Sequence, residues 1–273
     1  MSQKQPTPRK RRSQAVLTRF LAWCVHFYTA LGLVCAAGMA VLLAEANPSP
    51  EAFRWTFVLM LVATLIDATD GTFARALKIK EVLPGFDGRR LDDIVDFLTY
   101  TALPLFLIWR AHLLPDGTEA LLLLPLLASA YGFCQVSAKT DDGYFLGFPS
   151  YWNLVAFYLY MLQMPKWGAL ALVVSLALLT FVPTRYLYPT MRGRLNRVTN
   201  VLGAGWTCLL IGILTLPAVE LAAAGTAREM GMLSLFFPIY YMAASWLVTL
   251  RFWRRRRRPQ QGEEVKAGNP APA

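Results

Sequence analysis

The sequence predicts an all-α fold, a polytopic membrane helix bundle of about eight transmembrane helices with both termini cytoplasmic, and three observations carry that prediction. First, 56% of the 273 residues are hydrophobic, only 16% are charged and the mean hydropathy is +0.40, far from the composition of soluble domains. Second, apolar runs recur at 23–44, 53–66, 94–114, 120–138, 151–164, 167–188, 201–219 and 233–253. About 20 residues of helix cross a bilayer, and the shorter runs reach that length through their flanks. Third, with eight spans and an inner N-terminus, only Arg54, Arg110, Lys166 and Arg228 of the 27 Lys and Arg fall outside, as the positive-inside rule requires.

Residues 1–14, with the basic stretch KQPTPRKRR, form a polar arm expected to be disordered. The first run is long enough to span and has no small-residue cleavage site after it, so it is expected to stay as an anchor. The second run ends in a charged inner link that leads to the third. The fourth and fifth flank the inner loop KTDDGYFLGFPSYWN. The sixth contains PTRYLYP, where Pro183 and Pro189 are expected to break or kink the helix and let Arg185 face the inner loops. An outer segment, LAAAGTAREMGM, has helical propensity and is expected on the membrane surface between the seventh and eighth runs. The basic stretch RFWRRRRR follows, and 259–273 is a polar, Pro-rich tail expected to be disordered. Residues 15–258 therefore read as one membrane domain, without a repeat of fixed period. The net charge of +10 is explained by topology and contact with membrane lipid, so no nucleic-acid partner is expected. Cys24, Cys35, Cys134 and Cys208 are scattered through apolar runs, which favours packing over zinc or a disulfide framework.

Chemistry concentrates in DATDGTFARALKIKEVLPGFDGRRLDDIVD, directly after the second run. A carboxylate costs roughly 3 kcal/mol to move into a bilayer on insertion scales, so such residues face protein, water or a ligand. Asp67 and Asp70 are three apart, within about 60° of each other on a helix, and Asp92 and Asp96 are four apart, within about 40°. Two antiparallel helices joined by an inner link bring the two pairs into one volume, where their repulsion calls for a cation. An all-carboxylate set suits a hard divalent ion, Mg²⁺ or Mn²⁺. Gly71 removes a side chain beside Asp70, and Arg75 offers a fork of donors suited to phosphate oxygens. Together they point to a phosphorylated, lipid-like substrate at the membrane interface. The simpler alternative, juxtamembrane acids pairing with Arg75, Arg89 and Arg90, covers Asp87 and Asp93 well but leaves the two same-face pairs unexplained.

The pattern DxxDGxxAR, then Gly, three residues, Asp, three residues, Asp resembles the signature of the CDP-alcohol phosphatidyltransferases, met by Asp67, Asp70, Gly71, Ala74, Arg75, Gly88, Asp92 and Asp96. The 12 residues between Arg75 and Gly88 are more than most of that family has, and the longer link is similar to the branch that condenses CDP-diacylglycerol directly with choline. The segments AWCVHFYTALG and KTDDGYFLGFPSYWN resemble the same branch. The resemblance implies that Asp67, Asp70 and Asp92 hold Mn²⁺ or Mg²⁺, with Asp96 contributing to a second ion and serving as general base. It implies that Gly71, Ala74, Arg75 and Gly88 contact the CDP part of CDP-diacylglycerol. It further implies a homodimer in the bacterial inner membrane, and the inner loops, which hold most of the polar groups, place the expected site on the cytoplasmic face.

His26 and Thr29 are polar residues near the inner end of the first run, placed to touch the nucleotide, although a membrane His bonded to a neighbouring helix is an equal account. Choline carries no N–H, and aromatic faces recognise its cation at about 0.5–2 kcal/mol per ring. Tyr151, Trp152 and Tyr186, at the inner mouths of the fifth and sixth runs, are the leading cage candidates among aromatics that otherwise collect at membrane interfaces. Serine, inositol or glycerol phosphate is the alternative acceptor. A cation transporter, from a different class, would need carboxylates near the bilayer midplane and usually a repeated architecture.

Overall fold

The structure is a computed structural model that describes residues 8–136, 144–187, 194–222 and 225–256. Its first helix, α1 (Pro8–Ala44), contains the expected anchor and also takes in residues 8–14 of the arm expected to be disordered. Lys, Arg and Gln are good helix formers and prolong a helix that the apolar run sustains. Residues 1–7 and 259–273 of the two expected tails lie outside the described residues, as do Lys139, Asp141, Asp142, Tyr188 and Pro189.

The second helix, α2 (Pro50–Ala76), starts with three agreeing signals: the Ser49 hydroxyl accepts the Ala52 N–H at 3.1 Å, Pro50 takes the first turn and Glu51 sits at the positive end of the dipole. The short link from α1 makes the two antiparallel neighbours, so the inner part of α1 lies along the last turns of α2. Tyr28 and Thr69 share a hydrogen bond of 2.8 Å across that pair.

The 12-residue link leaves α2 through Lys78 in the left-handed region (φ 49°) and forms a short helix, α3 (Ile79–Val82). Ile79 and Leu83 bury against Ala22 and Val25 of α1, a small satellite core that holds the link down. The next helix, α4 (Gly88–Asp96), is capped by the Asp87 carboxylate, which accepts the Arg89 and Arg90 N–H groups at 3.1 and 3.4 Å. The helical path continues through a π turn, Phe97–Ala102, into α5 (Leu103–Arg110). Pro104 has no N–H for the Tyr100 carbonyl, and the Leu103 N–H bonds the Leu98 carbonyl five residues back. The proline thus widens the turn that precedes it.

The remaining elements are α6 (Leu123–Cys134), β1 (Tyr144–Leu146), α7 (Trp152–Leu162), α8 (Lys166–Leu179), β2 (Arg185–Leu187), α9 (Arg194–Leu214), α10 (Ala218–Ala222), α11 (Thr226–Ser234) and α12 (Phe236–Arg256). The sixth run breaks near Pro183 as expected, and its helix is shorter than the run: α8 stops at Leu179 instead of continuing to 188. The residue before Pro183 is biased away from helix, and the chain turns into β2, which pairs antiparallel with β1 so that Phe145 faces Tyr186. Among the described residues this two-stranded ribbon is the only departure from an all-α architecture. Gly147 closes it at φ 83°, with the Thr180 carbonyl where a Cβ would stand, so no other residue fits. The outer segment expected to be helical forms α10 and α11, and α11 buries Ala227, Gly231 and Ser234 against its neighbours.

Among the described residues four helices are long and apolar enough to cross a membrane: Val16–Ala44, Pro50–Ala76, Asn196–Leu214 and Thr226–Arg254. Glu119–Cys134, Trp152–Leu162 and Lys166–Leu179 are shorter apolar helices. Met39, Leu107, Trp152, Leu159, Val173 and Ile213 close a continuous core between helices. Large apolar side chains also cover the outside, with Phe27, Val41, Trp167 and Ile239 all exposed by more than 60%. A surface of that kind belongs against acyl chains, and the fold is an all-α membrane bundle.

Candidate active site

Two helix ends build the site. Asp67 and Asp70 occupy the last turns of α2, and Asp92 stands in the middle of α4, which enters from the same end of the bundle. One carboxylate oxygen from each of these three lies within 4.8 Å of the others, with Asp70 buried and the other two half-buried. At that separation each pair of full charges repels by about 3.5 kcal/mol for an effective dielectric of about 20. Three oxygen donors converging in this way are a chemical fit for one hard divalent cation. Asp96, one turn beyond Asp92, stands outside that triad, although its charge interacts with Asp67, Asp92 and Asp70. Its Oδ1 is buried and has no hydrogen-bond partner among the described residues.

Hydroxyl donors flank the triad. Thr29 on α1 donates to Asp70 Oδ2 at 2.7 Å, so its hydroxyl is engaged with a carboxylate. Tyr100, in the π turn, donates to Asp67 Oδ2 at 2.8 Å. The sequence reading missed Tyr100, yet it continues the Asp92, Asp96 spacing by one more step of four, and that periodicity would have found it.

The other motif residues surround the acids. Arg75 is exposed, donates to Thr72 Oγ1 at 3.1 Å and folds back across Gly71, where a Cβ would stand 3.2 Å from its Nη1. The missing side chain thus makes room for the guanidinium itself. Ala74 packs on the satellite core of α1 and α3. Gly88 lies against His26, whose Cε1 would be 2.5 Å from a Cβ there. The imidazole is buried, tilts against Phe86 with ring centroids 4.4 Å apart, and leaves Nε2 without a hydrogen-bond partner. Asp87 is spent on the α4 cap and on an exposed ion pair with Arg90 at 3.3 Å.

The three aromatic candidates separate. Trp152 is fully buried, with its indole N–H on Ser129 Oγ at 2.8 Å. Tyr186 is likewise fully buried and stacks on Tyr241 at 6.3 Å. Tyr151 is half-buried, its ring 6.5 Å from Tyr100 and 6.0 Å from Tyr241, so a train of rings leads away from Asp67. Arg185 lies over the Phe252 ring at 3.5 Å and over Tyr144 at 5.4 Å, a cation–π setting at the ribbon.

Along most of its length the chain is similar to curated bacterial proteins named phosphatidylcholine synthase. The one from Pseudomonas aeruginosa is 34% identical over 247 residues, 90% of this chain and 96% of that protein. The one from Borreliella burgdorferi is 30% identical, over 83% of this chain and 94% of that protein. The one from Bradyrhizobium diazoefficiens is 37% identical, over 77% of this chain and 79% of that protein. No family model matches the chain.

Proposed function

The chain belongs to the phosphatidylcholine synthases, and from that premise we propose that it condenses CDP-diacylglycerol with choline, releasing CMP, at the cytoplasmic face of the bacterial inner membrane. The observation that carries the reading is the convergence of Asp67, Asp70 and Asp92, from two helices, within 4.8 Å at the end of a membrane bundle. These three would hold Mn²⁺ or Mg²⁺, and Asp96 would contribute to a second ion. When bound, the metal neutralises diphosphate charge and stabilises the departing CMP.

The remaining steps belong to the protein. Arg75, exposed beside Gly71, swings from Thr72 to the diphosphate oxygens, while Ala74 and Gly88 join it on the CDP side, their small size also serving the packing on α3 and His26. His26 and Thr29 back the nucleotide side from α1. Asp96 accepts the proton of the choline hydroxyl, and its partnerless Oδ1 supports that assignment. The choline oxygen then bonds the phosphorus that carries diacylglycerol, and the bond from that phosphorus to CMP breaks. The acyl chains remain in the bilayer throughout. The trimethylammonium rests on Tyr151, flanked by Tyr100 and Tyr241, with Tyr186 stacked behind Tyr241, while Trp152 is fully buried on Ser129 and supports the fold beneath. Eight crossings with both termini inside, and a homodimer, complete the arrangement.

The test is CMP release by the purified protein given CDP-diacylglycerol, Mn²⁺ or Mg²⁺, and each of choline, serine, inositol and glycerol phosphate. Release with choline alone, abolished by a chelator and restored by the metal, is the expected result. Release with another alcohol in place of choline overturns the acceptor, and undiminished release in the chelator overturns the cation.

A further inference from the structure

Two hydroxyl groups reach the carboxylate triad from elements that carry none of the α2 acids. Thr29 Oγ1, on α1, lies 2.7 Å from Asp70 Oδ2, and its alternative acceptor, the Val25 carbonyl, is distant at 3.4 Å. The single hydroxyl hydrogen therefore goes to the carboxylate. Tyr100 Oη lies 2.8 Å from Asp67 Oδ2. The π turn that holds Tyr100 bonds five residues back, so it winds more residues into each turn than an α-helix. That winding brings Tyr100 round over Asp96 and toward α2.

From this geometry we infer that Tyr100 and Thr29 are positioning residues: each fixes one oxygen of Asp67 or Asp70 and so aims the other at a shared divalent cation. The inference rests on the cation reading given above. Hydroxyl-to-carboxylate bonds of this length are charge-assisted and hold a rotamer firmly. The two donors come from different elements, one from α1 and one from the segment that also carries Asp92 and Asp96. Both α2 carboxylates are thereby oriented before any cation arrives, which lowers the ordering cost of binding. Partners of ligand groups, when removed, typically weaken metal affinity about 10- to 100-fold.

The experiment is Mn²⁺ binding to the full-length protein in detergent, followed through the electron paramagnetic resonance signal of free Mn²⁺, with thermal midpoints measured on the same samples. Wild type, Tyr100→Phe, Thr29→Val, Thr29→Ser and Asp67→Asn are compared. Tyr100→Phe keeps the ring and Thr29→Ser keeps the hydroxyl. Expected is a Kd for Mn²⁺ raised about 10- to 100-fold in Tyr100→Phe and in Thr29→Val, with Thr29→Ser within about threefold of wild type. In turnover the same two variants need correspondingly more Mn²⁺ for half-maximal rate, and Tyr100→Phe, which alters no group assigned to the nucleotide, keeps KM for CDP-diacylglycerol near that of wild type at saturating Mn²⁺. If Asp67→Asn weakens Mn²⁺ binding but Tyr100→Phe and Thr29→Val do not, the positioning role is overturned and the cation site stands. If wild type itself takes up no Mn²⁺, the cation reading fails and this inference falls with it. A lowered thermal midpoint with unchanged Kd marks these contacts as structural only and also overturns the proposal.

Discussion

Changing one carboxylate to its isosteric amide removes charge and keeps shape, which makes Asp→Asn the informative substitution at the acidic cluster. Asp67→Asn, Asp70→Asn and Asp92→Asn are each expected to abolish turnover while the thermal midpoint in detergent changes little, because the variant loses a ligand and also loses repulsion. Near-normal rates at saturating Mn²⁺ remove that residue from the essential set. Asp96→Asn should block transfer and spare CDP-diacylglycerol binding, since the amide cannot take up the hydroxyl proton. A loss of binding as severe as in Asp70→Asn makes Asp96 chiefly a ligand. For the acceptor, Tyr151→Leu keeps apolar bulk without the π face, and choline KM should rise roughly five- to thirtyfold for a loss of about 1–2 kcal/mol. KM for CDP-diacylglycerol should hold, and ethanolamine, run alongside, should respond less. Equal small changes in both alcohols return Tyr151 to the interfacial belt. The acids were legible in the sequence because a helix repeats every 3.6 residues and two matching pairs cannot be hidden. Thr29 was legible as an oddly polar residue, but its partner lies 41 positions away and only packing reveals it.

At the scale of elements, close approach explains a motif residue that spacing alone leaves open. Gly88 starts α4, and an Ala there pushes its Cβ to 2.5 Å from His26 Cε1. Gly88→Ala is expected to cost about 1–3 kcal/mol by overpacking and to lower the thermal midpoint. His26→Ala in the same chain should recover part of that loss, because it empties the space that the new methyl needs. An unchanged midpoint in Gly88→Ala refutes the packing account and returns the glycine to a role in ligand approach alone. The helices begin before the apolar runs, at Pro50 and Gly88, where the Ser49 and Asp87 side chains cap them and hydropathy gives no sign of a start. The break in the sixth run was legible from Pro183, but its outer bound at 188 was not corrected for it, because Phe181, Val182, Tyr186 and Leu187 extend the apolar run past the proline. The ribbon could not be read at all. Its two strands are three residues each and their pairing joins positions 39 to 43 apart, so neither has the length that an alternating pattern needs to show.

For the whole molecule, composition settled the class, since a chain this apolar has no soluble solution, and the exposed belt of large side chains agrees with it. Orientation rests on charge alone, through the positive-inside bias, and can be tested separately from the chemistry. Gly85 lies in the link beside the acidic cluster with nothing within 4 Å of a Cβ, so Cys fits there without strain. Asp116, between α5 and α6, is exposed and pairs with Lys166 at 3.2 Å, an ion pair worth about 0–1 kcal/mol whose loss the fold tolerates. None of the four native cysteines is in a disulfide, so Ser can replace them to give a silent background. In intact spheroplasts a membrane-impermeant maleimide is expected to label Asp116→Cys at once and Gly85→Cys only after permeabilisation. The reverse pattern places the carboxylate cluster on the outer face, where no CDP-activated lipid is supplied, and labelling of both in intact cells shows that the third crossing does not form. The result bears on mechanism as well as topology. Only an inward-facing cluster lets Asp96 meet a soluble alcohol while the lipid-bound diphosphate enters from the inner leaflet beside Arg75.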